Sequence, residues 1–302
     1  MLKLKGIIPP MLTPLDQEKR VDEDSTRRLV NFMLRSGVDG LFILGTMGEG
    51  LALAAKERYR LTEIVRDEVR GRCPVLVGVS DTALEQTLDN VRASERLGAD
   101  ALVVLPPFFK LLSADDILEF YSKVAAAASL PLVIYSHPAL TGNKIPLPVM
   151  KRLMAEPKFV GVKDSSGDFA YFSSLLALRD ERKDFAVLEG DETALAPALL
   201  SGADGIVPGI GSLAARFFKR LSAASEAGDK RQALALQLEL NRLRDGIYGP
   251  DVSDWLSGHK EALVYLGILA HPDTVYYQPL SAEKKARVHE TVERWKNYLL
   301  GD

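Results

Sequence analysis

The chain has 302 residues, 47% of them hydrophobic and 26% charged, enough to bury a sizeable core. A formal net charge of −3, with both signs mixed along the chain, gives no basis for binding nucleic acid or an anionic membrane surface. The single cysteine, Cys73, excludes an internal disulfide and reads as a packing residue before Pro74. No apolar run approaches the ~20 residues of a membrane helix, so a soluble, cytoplasmic protein is expected.

The opening MLKLKGIIPPML is basic and then apolar, like a secretion signal. Its apolar part is short and cut by Pro9-Pro10, so it is read as the start of a strand. Along the chain, strand-like runs (GIIPPML, GLFILG, PVLVGVS, ALVVLPP, PLVIYS, FVGVKD, FAVLEG and GIVPG) alternate with amphipathic helical stretches. DSTRRLVNFMLRSG begins among Asp22, Asp24 and Ser25, which suit a helix start, and ends at Gly37. SADDILEFYSKVAAAA begins at Ser113 with Asp115 and Asp116 in its first turn, where carboxylates complement the helix dipole. GVDG, GADA and GADG each close a helix and open strand two, four or eight, whereas strands three and five are entered through proline. Such alternation suits a barrel packed in layers from odd and even strands. The expected fold is an α/β (β/α)8 TIM barrel. After about Ser212 only helical patterns remain, so a single domain is expected, with the barrel over about 1–224 and a C-terminal helical appendage over about 225–302.

In such a barrel the residues just past the strands' carboxyl ends share one mouth. Here they are Thr13, Thr46, Ser80, Phe108, Tyr135, Lys163, Gly190 with Asp191 and Glu192, and Pro208-Gly209. The set holds an amine, a phenol and hydroxyls. His137, His259, His271 and His289 show no metal-ligand spacing, and neither GTMGEG nor PGIGS has the Gly-Lys-Ser/Thr of a P-loop; no cofactor is expected. Lys163 ends the apolar run FVGVKD and has two readings. One is an ion pair with a carboxylate such as Asp164. The other is an amine desolvated until it is a nucleophile, able to form a Schiff base with a ketone. Tyr135 is either an aromatic plug or the proton shuttle beside that amine. Thr46 is either a turn residue or part of an anion site, since GTMGEG is expected to open the helix LALAAKER and offer its amides to a carboxylate.

GTMGEG, VIYSHPALTG and GVKDSSGD, in this order and on these elements, resemble the G-T/S-T-G-E loop, the Y-N-x-P-x-x-T-G segment and the Schiff-base lysine segment of the dihydrodipicolinate synthase/N-acetylneuraminate lyase family. The likeness runs from about Gly6 to HKEALVYLGI. It implies Lys163 as the imine-forming residue, Tyr135 as acid/base and Thr46 as proton relay, with Met47, Gly48, Gly190 and the Val207 backbone around a pyruvate-like substrate. It also implies pyruvate and an aldehyde as reactants, and a homotetramer. Two departures bear on the branch. Synthases of the family carry a relay tyrosine after strand four, where PPFFKLL has Phe108 and Phe109, and an arginine where Leu140 stands. The similarity leans to enzymes that cleave 4-hydroxy-2-oxoglutarate or 2-keto-3-deoxy-sugar acids, with a dihydrodipicolinate synthase, a dehydratase of the same fold and a non-catalytic 2-oxo acid binder as alternatives. Ser165, Asp191 and Glu192 either contact substrate hydroxyls or cap helices, and Lys110 either meets a distal carboxylate or is a surface lysine.

Overall fold

The eight strands are β1 (Gly6–Ile7), β2 (Leu41–Ile43), β3 (Val75–Gly78), β4 (Ala101–Val104), β5 (Leu132–Ser136), β6 (Phe159–Asp164), β7 (Ala186–Glu189) and β8 (Gly205–Ile206), each inside the run expected for it. They come from a computed structural model that describes residues 2–300. All pair in parallel, in the order β1-β8-β7-β6-β5-β4-β3-β2. The sheet closes through the segment after β1, where Phe42 N donates to Pro9 O (3.1 Å) and Met11 N to Phe42 O (2.8 Å). Pro9 and Pro10 have no N–H to give, so this seam is sparse and β1 is short. The result is a (β/α)8 barrel.

Between the strands lie α1 (Glu23–Arg35), α2 (Ala55–Val69), α3 (Leu84–Arg96), α4 (Ala114–Ala127), α5 (Pro138–Thr141), α6 (Leu147–Ala155), α7 (Phe169–Arg179) and α8 (Leu195–Leu200). After β8 come α9 (Gly211–Glu226), α10 (Lys230–Tyr248), α11 (Trp255–Tyr265) and α12 (Ala282–Leu300). The starts read from the sequence are realised at α1, where Asp22 accepts from Ser25 N, and at α4, where Ser113 and Asp116 form a reciprocal capping box. One start is not. GTMGEG does not open a helix: residues 46–52 run through consecutive turns, and α2 begins only at Ala55. Glu49 there has φ 53°, and a Cβ on Gly50 would lie 2.0 Å from Leu44 O, so the segment is pressed flat against the end of β2.

Alternation along the strands separates two apolar cores. Phe42, Leu76, Val103, Val133, Tyr135 and Leu188 fill the barrel interior, while Ile43, Val77, Leu102, Ile134, Val162 and Val187 face the helices. The β5–β6 register shifts between Leu132, opposite Phe159, and Val133, opposite Gly161. One β6 residue is thereby extra, and every later β6 side chain changes face. Lys163 consequently points inward beside Tyr135, and Asp164 outward.

The C-terminal helices are tied to the mouth by a buried ion pair. Lys260 of α11, fully buried, donates from Nζ to Glu49 Oε1 (2.6 Å) and to Asp273 O (2.6 Å), and Val275 N donates to Glu49 Oε2 (2.6 Å). Removing one partner of such a pair strands the other charge. Lys260→Met is expected to cost about 3–5 kcal/mol in urea unfolding, and Glu49→Gln in the same chain to recover part of it. A loss below about 1 kcal/mol, the range of an exposed pair, would contradict this.

Candidate active site

Lys163, 5% exposed, sits opposite Tyr135 in the β5–β6 register. Its Nζ lies 3.9 Å from the centre of the Tyr135 ring and 5.2 Å from that of Phe42, which packs edge-on to Tyr135. Among the described residues no carboxylate forms an ion pair with it. Asp164 faces the other side of the sheet, where Ser166 Oγ donates to its Oδ2 (2.7 Å), so the pairing considered for Lys163 is not made. The Tyr135 hydroxyl is 3.3 Å from Thr46 Oγ1, across the mouth. Amine, phenol and hydroxyl are thus brought together from three elements far apart in sequence.

They open into a cavity of about 480 Å³. Gly190, Asp191 and Glu192 line it as well, as their positions after the strands suggested, and so do Ser165 and the residues implied by the resemblance, Met47 and Val207. Gly190 is required for space: a Cβ there would lie 2.2 Å from Ser165 Oγ and 2.8 Å from Lys163 Cε. Gly48 is not at the cavity wall. Its carbonyl accepts from Thr13 Oγ1 (2.5 Å), and its Cα packs on Leu44 and Met11 backbone, so it shapes the loop that carries Thr46 and Met47. Asp191 and Glu192 line the cavity, and neither caps α8, whose start at Ala194 has no side-chain cap. Asp191 Oδ1 accepts from Thr193 N (3.0 Å), and Glu192 Oε1 from Ile210 N (2.5 Å), while both residues face the cavity. Desolvation pushes Glu192 up to about 7. Lys110 stays outside, exposed and 5.7 Å over the Phe109 ring.

Among the cavity residues that the sequence reading missed, five carry polar or aromatic groups over the site: His137, Arg244, Tyr248, Trp255 and Tyr277. Four come from the C-terminal helices and the segment after them, which fold over the mouth; only His137, two residues past Tyr135, carried a signal, in strand alternation. Burial and the neighbouring Lys163 push His137 down to about 4. Arg244 donates from Nε and Nη2 to Asp245 Oδ1, at 3.1 and 2.7 Å. A second, apolar lobe of about 280 Å³, walled by Phe42, Leu105, Phe108 and Tyr276, shares Thr46, Tyr135 and Leu140 with the first.

Behind the amine, on the helix side of the sheet, Asp164 and Glu189 sit side by side in the β6–β7 register, both buried. Glu189 Oε1 accepts from Gly190 N (2.9 Å) and Asp191 N (2.7 Å), which holds the loop beside the cavity. No cation pairs with either carboxyl among the described residues. Desolvation pushes Asp164 up to about 6 and Glu189 up to about 8, and the Asp164 charge also opposes the ionisation of Glu189. A carboxyl raised on folding keeps its proton while the unfolded chain loses it, so stability falls as pH rises from the ordinary 4.5 of Glu189 to about 8. Glu189→Gln keeps an acceptor for the two amides and removes that penalty. Its urea midpoint relative to wild type is expected to rise between about pH 5 and about pH 8.5; a difference that stays constant or reverses would contradict the shared burial.

The dihydrodipicolinate synthetase family model matches residues 3–295. The chain is 30% identical to an N-acetylneuraminate lyase of Citrobacter koseri, over 89% of each chain. It is also 30% identical to a 4-hydroxy-tetrahydrodipicolinate synthase of Methanothermobacter thermautotrophicus, over 80% of this chain and 86% of that one. YagE of E. coli K12, a prophage protein of the dihydrodipicolinic acid synthase family solved in complex with pyruvate, superposes with a TM-score of 0.90 at 29% identity, covering 97% of this chain and 99% of that one. The chain belongs to the dihydrodipicolinate synthetase family and is an enzyme of the carbon–carbon lyase class.

Proposed function

We propose that this family member is a Schiff-base, pyruvate-dependent aldolase that cleaves a 2-keto-3-deoxy sugar acid or a similar 4-hydroxy-2-oxo acid. The observation that carries the reading is Lys163: a nearly buried amine at the barrel mouth, without a carboxylate partner among the described residues and 3.9 Å from the Tyr135 ring centre. Lys163 Nζ attacks the C2 ketone, and the Tyr135 hydroxyl protonates the carbinolamine oxygen so that water leaves. Tyr135 then takes the proton of the C4 hydroxyl as the C3–C4 bond breaks, and the bond's electron pair moves into the lysine-bound enamine. The aldehyde departs, the enamine is protonated at C3, and water releases pyruvate. Thr46, 3.3 Å from Tyr135, passes the proton between steps. The same imine would permit loss of a hydroxyl from a 2-keto-3-deoxy acid, the dehydratase reading.

The far wall decides between aldehyde halves. A carboxylate-bearing partner such as aspartate semialdehyde needs a free cation, but Leu140 stands at the family's arginine position and Arg244 is held by Asp245. Asp191 and Glu192 face the same space, which favours a hydroxylated tail over an anionic one. The second reading, a synthase condensing pyruvate with aspartate semialdehyde, is favoured by the resemblance to the archaeal enzyme. The test is a panel scored for pyruvate release from 2-keto-3-deoxygluconate and 4-hydroxy-2-oxoglutarate, beside condensation of pyruvate with aspartate semialdehyde. Cleavage is expected to exceed condensation by roughly tenfold or more in kcat/KM, an effect of about 1.4 kcal/mol. A wide preference for aspartate semialdehyde would replace this reading with the synthase.

A further inference from the structure

Lys163, Tyr135 and Thr46 account for the bond-breaking step and leave His137 unused. His137 follows β5 by one residue and lines the same cavity as Tyr135. The two rings are 5.8 Å apart at 56°. The backbone fixes it, since its carbonyl accepts from Leu140 N and Thr141 N, both at 3.1 Å. The ring is not similarly engaged: Nδ1 is buried without any hydrogen-bond partner. Among the described residues Nε2 has no hydrogen-bond partner either, and the ring lines the cavity, so a partner supplied by a ligand is favoured at the nitrogen that the cavity reaches.

The charged groups near the ring are Lys163 and Asp191. With the imidazole down at about 4, it is neutral at physiological pH, with one nitrogen to donate and one to accept. That matches a hydroxyl, which also does both. It does not match a carboxylate, which only accepts and would face Asp191.

We propose that His137 is a specificity residue for the aldehyde half, hydrogen-bonding a hydroxyl one or two carbons beyond the aldehyde carbon. The enzyme thereby selects a polyhydroxy aldehyde over an alkyl one. This rests on the aldolase reading, and the experiment separates the two. Pyruvate is condensed with glyceraldehyde and with propionaldehyde, which lacks the hydroxyls, by wild type, His137→Phe and His137→Gln. Wild type is expected to prefer glyceraldehyde. His137→Phe should lose roughly 10–100-fold of that preference, mainly through the KM for glyceraldehyde, with a smaller change for propionaldehyde, and His137→Gln should retain part of it. Borohydride trapping of pyruvate on Lys163 at the wild-type level shows that the variant is folded. A His137→Phe enzyme that keeps the wild-type preference, or loses both aldehydes equally, overturns the role of His137 and leaves the aldolase standing. Wild type without product from either aldehyde overturns both.

Discussion

The pairing of β6 with β5 slips by one residue between Leu132 and Val133, and the chemistry at the mouth follows from that slip. A strand's side chains alternate in face, so one extra residue exchanges the surroundings of all that follow. It places Lys163 among the rings of Phe42 and Tyr135, and Asp164 on the helix side next to Glu189. With the regular register the acid would face the barrel interior and the amine would lie under the helices. Separating adjacent Lys163 and Asp164 across the sheet is what leaves the amine without a counter-ion.

The rest of the site is held by contacts over long sequence distances. Glu49, in the loop that carries Thr46, is bonded to Lys260 of α11 and to Val275, beside Tyr276 and Tyr277. A single carboxylate therefore joins the Thr46 loop to the C-terminal segment over the cavity. On the other flank, Glu189 holds the amides of Gly190 and Asp191 from behind the sheet. These buried carboxyls thus set where Lys163, Tyr135 and Thr46 stand, through the hydrogen bonds they accept.

Much of this was legible in the sequence, for physical reasons that also explain the rest. The eight strands announce themselves as apolar runs between Gly and Pro signals, and a barrel sends their carboxyl ends to one mouth, so Lys163, Tyr135 and Thr46 could be gathered without coordinates. The start of α2 was misread because glycine-rich loops before helices often lead directly into the first turn. Here the turns pack on Leu44, and Glu49 is drawn toward Lys260. Arg244, Tyr248, Trp255 and Tyr277 reach the cavity only because the C-terminal helices fold over it, which no local pattern encodes. The β6 bulge is equally silent in sequence, since Val160 and Gly161 look like ordinary strand residues.

The central claim, that Lys163 reacts with a 2-oxo acid as a free amine, is tested most directly by trapping. The enzyme is incubated with pyruvate, reduced with borohydride, digested and weighed peptide by peptide. A carboxyethyl group on the peptide containing Lys163, absent in Lys163→Met and absent without pyruvate, is the result this account predicts. An unmodified Lys163 peptide from enzyme that still releases pyruvate from a 2-oxo acid would contradict it.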